Sequence, residues 1–549
     1  MNLIDRIIEY SAKNRFLVLL LGLTAVVASW TALRNVPLDA IPDLSDTQVI
    51  ILSRWDRPPQ VIEDQVTYPI VAALLGAPKV KDVRAFSDYG FSYVYVIFED
   101  GTDQYWARSR VLEYLSKVTP TLPSEVRTEL GPDATGVGWI FEYALVDESG
   151  KQSLQDLTSF QNWHLKYALQ SVKGVSEVAT VGGFVKQYQV IVRPGSLLAY
   201  GLSLNDVIDA LKKSNQEAGA RLLDINGREF MVTLRGYLTS LDDIKSIALK
   251  SGRDGSSVRI GDIADVVFGP DIRRGVAELD GRGETVGGIV VMRSKENALN
   301  VITRVKQRLS EVALPEGVKL VVTYDRSELI HRAVKTLEHK LVEEMIVVSV
   351  VILLFLLHFS SALVPIITLP IAVLLSFIPM FFLGLTSNIM SLGGIAIAIG
   401  AMVDASIVVV ENAHKRISQW QEQGRREEFQ RVLVDAIREV ARPSFFSLLV
   451  IAVSFLPIFT LEGMEGRLFK PLAYTKTFAI FFSAFLAITI GPALMSLILR
   501  VDPWKIKPNW LSGLVNGVFV GKIHSEENNP VSRVLFRVYE PVVRFVLKK

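Results

Sequence analysis

One aspartate stands where hydrocarbon is expected. Asp404 falls inside the apolar run Ile389–Val410 and is the only ionisable residue well inside any of six such runs in the chain. Placing an aspartate at that depth costs about 2.5–3.5 kcal/mol on insertion scales, so it faces a polar cavity or a partner. Low-polarity surroundings favour the neutral form of a carboxyl group. Such an acid can take up a proton on one side of a membrane and release it on the other. Each proton moving down the membrane potential supplies roughly 2.3 kcal/mol per 100 mV. Gly393, Ala396 and Gly400 recur about one turn apart and lead to Asp404, a small-residue face that lets another helix approach. Glu411 follows two turns on, on the same side. The competing reading is an aspartate that bonds a neighbouring helix and carries nothing.

Little else in the chain suggests chemistry. There are no cysteines, which excludes disulfides, thiolate metal sites and cysteine nucleophiles. Six histidines make a His-rich zinc or haem site an unpromising expectation, and soft-metal chemistry would rest on the nine methionines. Met231 and Met292 sit in strand patterns and read as core; Trp55, Trp106 and Trp163 read as packing. Neither a nucleophile–base pair nor a phosphate loop is visible, so no enzyme is expected. A net charge of +2 gives no case for nucleic acid.

The elements that must position Asp404 follow from hydropathy. The 549 residues are 50% hydrophobic and 21% charged, with mean hydropathy +0.32, which predicts both membrane and aqueous regions. Predominantly apolar runs of about 18 residues or more read as membrane spans. They are 16–33, 341–358, 362–383, 389–412, 444–461 and 477–499, with a cytoplasmic amphipathic helix at 1–15. The run at 16–33 exceeds a signal-peptide core and reads as a retained anchor. Lys415, Arg416, Arg425, Arg426, Arg431, Arg438 and Arg442 in the linker 413–443, and Arg500, Lys505 and Lys507 in the segment 500–549, place those stretches in the cytoplasm. The loop 462–476 and the long region 34–340 then lie outside.

That long region reads as repeated strand–helix–strand units without Gly-rich phosphate loops, which suggests ferredoxin-like subdomains. Strands are predicted at Gln48–Arg54, Tyr89–Phe98, Trp139–Val146, Gln187–Val192, Val286–Met292 and Val318–Tyr324, with helices at Pro58–Leu75, Asp103–Val118, Leu154–Val172, Leu204–Lys213 and Ala298–Val312. The turn-rich stretch at about 205–265 reads as an insertion. Near the end, NPVSRVLFRVYEPVVRF echoes NLIDRIIEYSAKNRF at the start, which suggests a duplicated transporter leading into a seventh span beyond Lys549.

The segment GGIAIAIGAMVDASIVVVENAHKR, together with NLIDRIIEYSAKNRF, VPLDAIPDLSDTQVI and LEGMEGRLFKPLAYTK, resembles the heavy-metal efflux branch of the RND superfamily, over essentially the whole chain. The copper/silver subgroup matches best. Divalent-metal pumps of the branch typically carry a second acid where Ala398 stands, and multidrug relatives carry paired aspartates where Asp404 is followed by Ala405. The resemblance implies that Asp404 is the proton-relay aspartate, with relay partners on later spans. It implies that Met390 and Met402 are metal ligands, since thioether sulfur suits Cu(I) and Ag(I), although Met is also a common filler of apolar gaps. Val409 and Ile480 stand where the copper pumps tend to have further methionines.

The expectation is an α+β membrane protein. It has six transmembrane helices and a large periplasmic region of ferredoxin-like βαβ subdomains, and sits in the inner membrane of a Gram-negative bacterium. It would export Cu(I) or Ag(I) against protons as the N-terminal half of a pump. By resemblance the partners are a homotrimer, a periplasmic adaptor, an outer-membrane channel and a second-half chain. No cofactor is expected. A divalent or organic cargo, or an inactive half, are the alternatives.

Overall fold

The computed structural model describes residues 3–234, 236–251, 256–272, 275–425, 427–499 and 530–547. The chain divides into two units, the first of 1–140, 292–303 and 325–549, the second of 141–291 and 304–324. The basic residues Arg426, Arg500, Lys505 and Lys507 lie outside the described residues, as does most of the segment 500–549.

In the first unit, β1 (Gln48–Arg54), β2 (Val80–Asp88), β3 (Phe91–Phe98) and β4 (Arg127–Leu130) form an antiparallel sheet in the order β2-β3-β1-β4. Alternation does the sorting. Val49 and Ile51 of β1 and Val94 and Val96 of β3 turn inward and take Ile62, Val66, Ile70 and Leu74 from the helical stretch after β1, and Val111 and Leu115 from helix Gln104–Val118. That second helix starts where the side chain of Asp103 accepts the N–H groups of Tyr105 and Trp106. The edge strand β2 was not anticipated, because its polar sequence VKDVRAFSD lacks a clean alternation.

The same unit holds a helical bundle. Helices at Arg15–Asn35, Phe359–Phe382, Ile389–Glu422, Phe429–Thr460 and Gly463–Ile488 are long and apolar enough to cross a membrane. The run expected at 341–358 forms the end of helix Arg326–Leu356, which stops where Leu357 adopts the left-handed conformation (φ 44°). The run at 477–499 is shared between Gly463–Ile488 and Ile490–Ile498, broken at Thr489. The stretch 413–443 is mostly helix, turning at Gly424, whose φ of 79° suits glycine. Both echoing segments are helices, Leu3–Lys13 and Pro530–Leu547.

In the second unit, β5 (Trp139–Asp147), β6 (Val175–Gly182), β13 (Val286–Met292) and β14 (Val318–Asp325) lie in the order β14-β5-β13-β6. Numbered within each sheet, both read four-one-three-two. The second sheet has its middle hairpin opened by an insertion. That insertion is β7 (Lys186–Val192) paired with β12 (Ala264–Pro270), a hairpin of β8 (Ala218–Ile225) and β9 (Arg228–Leu234), and the short pair β10 (Ala248–Ser251) and β11 (Ser257–Arg259). It has a core of its own from Val207, Ile244, Ile247, Ile260, Ile263 and Val266. The insertion is longer at both ends than the 205–265 expected, because its framing strands β7 and β12 are far apart in sequence and pair only in the folded chain.

Candidate functional site in the helix of Asp404

The helix Ile389–Glu422 has a well-made start. Asn388 Oδ1 accepts the N–H groups of Met390 and Ser391, both at 3.0 Å, and the Asn388 N–H donates to Ser391 Oγ at 2.8 Å. A second helix, Gly463–Ile488, lies close against it. Thr475 Oγ1 donates to Ser391 O at 2.7 Å. A Cβ on Gly394 would sit 2.5 Å from Leu472 O and collide with Thr475 Oγ1. Gly394 is therefore the residue that allows the approach. At Gly393 and Gly400 an added Cβ would meet nothing within 4 Å.

Asp404 lies about 80° around the helix from Gly394, on the face turned away from Met402. It is exposed in this chain, in line with Ile397, Gly400 and Glu411, which are exposed too. Met402, two residues before it, has 0% exposure and Ala405, one after, is buried. At about 100° per residue the outer stripe and the inner stripe alternate as a straight helix requires.

The expected metal ligands are not gathered. Met390 is half-buried in the first turn, while Met402 belongs to the bundle core with Ala398, Ile399 and Ala372. Twelve residues set them about 18 Å apart along the axis, and about 120° around it. Val409 and Ile480 are core residues as well. Among the described residues there is no group of three or more His, Asp or Glu side chains that could hold a metal ion.

Two polar features of the bundle escaped the sequence reading. His358, Ser361 and His414 are all buried. His358 Nδ1 lies 2.8 Å from Ser361 Oγ and accepts the Ser361 N–H at 3.3 Å, while Ser361 Oγ is also hydrogen-bonded to His414 Nε2. The visible signal was a histidine in an uncharged turn between two apolar runs. The second feature is Lys476, assigned to the loop 462–476 from sequence. It sits within helix Gly463–Ile488 with its Nζ 3.6 Å from the centre of the Phe455 ring.

Where the bundle meets the first sheet, charged residues tie the parts together. Asp39 receives Arg326 through both carboxylate oxygens, at 2.8 and 3.0 Å. Arg467 holds Asp46 at 3.1 Å and is paired with Asp100, which accepts the Gly463 N–H at 2.6 Å. The Gly463 N–H, followed by the Arg467 side chain and charge, holds the Asp100 carboxyl below the usual carboxylate range. At the start of the chain, hydrogen bonds from Lys13 and Arg438 hold Glu9 low in the same way.

Residues 7–549 match the model of the AcrB/AcrD/AcrF family. The chain is 53% identical over 555 residues to the "Cation efflux system protein CusA" of Escherichia coli (strain K12), across 99% of this chain and 51% of that protein. It is 52% identical to the "Putative cation efflux system protein SilA" of Salmonella typhimurium, across 99% of this chain and 51% of that one. Identity to the "Cobalt-zinc-cadmium resistance protein CzcA" of Cupriavidus metallidurans is 34%, across 98% and 50%. The crystal structure of a heavy metal efflux pump superposes with a TM-score of 0.79 at 31% identity, over 89% of this chain and 48% of that one. The chain thus spans about half the length of the relatives it matches. Family match, sequence identity and shared architecture agree, and the chain belongs to the AcrB/AcrD/AcrF family, in the heavy-metal efflux branch of the RND superfamily.

Proposed function

We propose that the chain is the N-terminal half of a proton-driven inner-membrane pump that exports Cu(I) or Ag(I). The observation that carries this reading is Asp404, a carboxylic acid midway along a 34-residue helix whose opposite face is packed in the bundle core. Its exposure in this chain fits a second half closing over that face. Protonation there would change the cost of packing a partner helix against it, and so couple proton flow to movement. Six spans fit if the end of Arg326–Leu356 crosses the membrane with the five longer apolar helices. The two sheets in four-one-three-two order, with helical crossovers, support ferredoxin-like subdomains on the periplasmic side. The copper/silver cargo rests on the identity to CusA and SilA and on the single acid in this span, with Ala398 buried where divalent-metal pumps typically carry another. A homotrimer with an adaptor and an outer-membrane channel completes the reading. Asp404→Asn in cells expressing the pump that contains this chain should abolish silver and copper resistance, with the chain still in the membrane at normal abundance. Full resistance in that variant would end the relay assignment, and resistance to zinc or cobalt in place of silver would move the cargo to the divalent class.

A further inference from the structure

Helix Leu3–Lys13 and the first turns of helix Phe429–Ser454 flank a cavity of about 500 Å³. That size falls within the roughly 300–1,000 Å³ of small-molecule sites. Six charged side chains line it: Glu9, Lys13, Glu428, Arg431, Asp435 and Arg438. Four of them satisfy one another. Glu9 pairs with Lys13 at 2.7 Å and with Arg438 at 2.5 Å, and Arg438 reaches Asp435 at 3.3 Å. Two cations and two anions balance there. Arg431 and Glu428 remain, one of each sign, and among the described residues neither side chain has a hydrogen-bond or ion-pair partner.

The cavity lies at the level of lipid headgroups. Ser496, near the end of the apolar helix Ile490–Ile498, lines it too. Ser496 Oγ donates to Ala12 O at 3.3 Å, and Ser496 O accepts from Arg15 Nη1 at 2.9 Å. Arg15 begins the membrane-length helix Arg15–Asn35. The cavity therefore sits where that helix enters a bilayer. From this level the exposed Phe16, Leu17, Leu20 and Leu21 lead into hydrocarbon, while Leu433 and Val434 give the cavity an apolar wall.

We propose that this cavity holds the headgroup of phosphatidylethanolamine, with its phosphate on Arg431 and its ammonium on Glu428. The membrane placement of the bundle is all this takes from the reading above; neither the relay nor the cargo enters. A guanidinium binds phosphate oxygens through paired N–H groups. A primary ammonium has three N–H donors to offer a carboxylate. Lipids that differ in one group are told apart on these terms. Phosphatidylglycerol brings the phosphate without a cation, so Glu428 stays unmatched and repels it. Phosphatidylcholine brings a cation whose nitrogen has no hydrogen to donate. The same zwitterion exists free in water as phosphoethanolamine; the apolar wall and the bilayer level favour the lipid. A bound headgroup adds a second tie to this end of the bundle, beside the Glu9–Arg438 bridge.

The test titrates the full chain, stripped of lipid in detergent, with phosphatidylethanolamine, phosphatidylglycerol or phosphatidylcholine of matched acyl chains. Native mass spectrometry counts the lipid bound. Phosphatidylethanolamine should bind about tenfold or more tightly than either of the others, the worth of one hydrogen bond to a charged group. Arg431→Ala should weaken it about tenfold, and Glu428→Gln should abolish its preference over phosphatidylglycerol. Both side chains are exposed, so either change leaves the fold standing. Equal affinity of the unaltered chain for the three lipids overturns the proposal and needs no variant. Phosphatidylethanolamine binding indifferent to both substitutions overturns it as well. Displacement of the lipid by an equal concentration of soluble phosphoethanolamine would assign the cavity to a free ligand and overturn the lipid. The resistance of Asp404→Asn cells has no bearing on these affinities, so the two ideas fail separately.

Discussion

Arg326 clasps Asp39 across 287 positions of sequence, its two Nη2 contacts at 2.8 and 3.0 Å. The arginine is 5% exposed and the aspartate 18%. Arg326 opens the helix that runs to Leu356, and Asp39 lies just past the helix Arg15–Asn35. The pair is reinforced by an Arg326 Nη1 bond to Val137 O and by the Asp39 N–H donating to Ser387 O at 3.0 Å. One buried guanidinium therefore joins three separate stretches of chain, and the Asp39 backbone adds a fourth.

Removing that guanidinium strands a carboxylate out of water. Arg326→Ala should destabilise the first unit by about 3 kcal/mol, within the range for breaking one side of a buried pair. Arg326→Met with Asp39→Asn should recover much of the loss. Thermal unfolding in detergent, followed by tryptophan fluorescence, reads both; equal melting of the single variant and the unaltered chain would show the pair to be idle.

Gly394 predicts a packing limit. Its Cβ would press on a backbone carbonyl, Leu472 O, which cannot swing away as a side chain can. Gly394→Ala should cost about 1–3 kcal/mol through overpacking. Gly400→Ala, facing open space in this chain, should cost nothing by that mechanism and gain up to about 1 kcal/mol through helix propensity. Similar melting temperatures for the two variants would contradict the helix contact.

Tyr143 and Gln161 make a buried pair in the second unit. The phenol donates to Gln161 Oε1 at 2.9 Å, and burial pushes the Tyr143 pKa up. The Gln161 Nε2 is buried with no hydrogen-bond partner. Tyr143→Phe would also leave Oε1 unpaired, at about 1–3 kcal/mol. Urea unfolding of the two chains side by side gives the difference, which should be absent in the double variant Tyr143→Phe with Gln161→Leu.

The Asp100 contact predicts an acid limit. Its carboxyl is held below the ordinary 3.8 by the Gly463 N–H and Arg467. A carboxyl with a depressed pKa adds stability that is complete above its ordinary value and declines as pH falls through the depressed one. Protease cleavage near Gly463 should stay constant from neutral pH down to about pH 4 and rise below it. Asp100→Asn should cleave faster at neutral pH and lose that rise. A rise already present at pH 6 would point to another group.

Much of this protein could be read from its residues. Hydropathy located the apolar helices, since a run of that length without charge has few other solutions, and alternation marked strands such as Gln48–Arg54 and Val286–Met292 to the residue. The family was legible for the same reason as Asp404: an acid among small residues in an apolar run is costly, and so distinctive.

What the residues could not say is which face each one takes and what meets it there. Gly393 and Gly394 are equal in sequence; only the fold gives Gly394 the contact with Thr475 and leaves Gly393 open. Met402 could be read as ligand or filler, and the fold puts it in the bundle core, far along the helix from Met390. Ser361 and His414 meet across 53 positions, and β7 finds β12 across a whole inserted domain. Local pattern sets helix or strand because those periods repeat within a few residues. Contacts between distant residues depend on how whole elements pack, and no short stretch of sequence contains that.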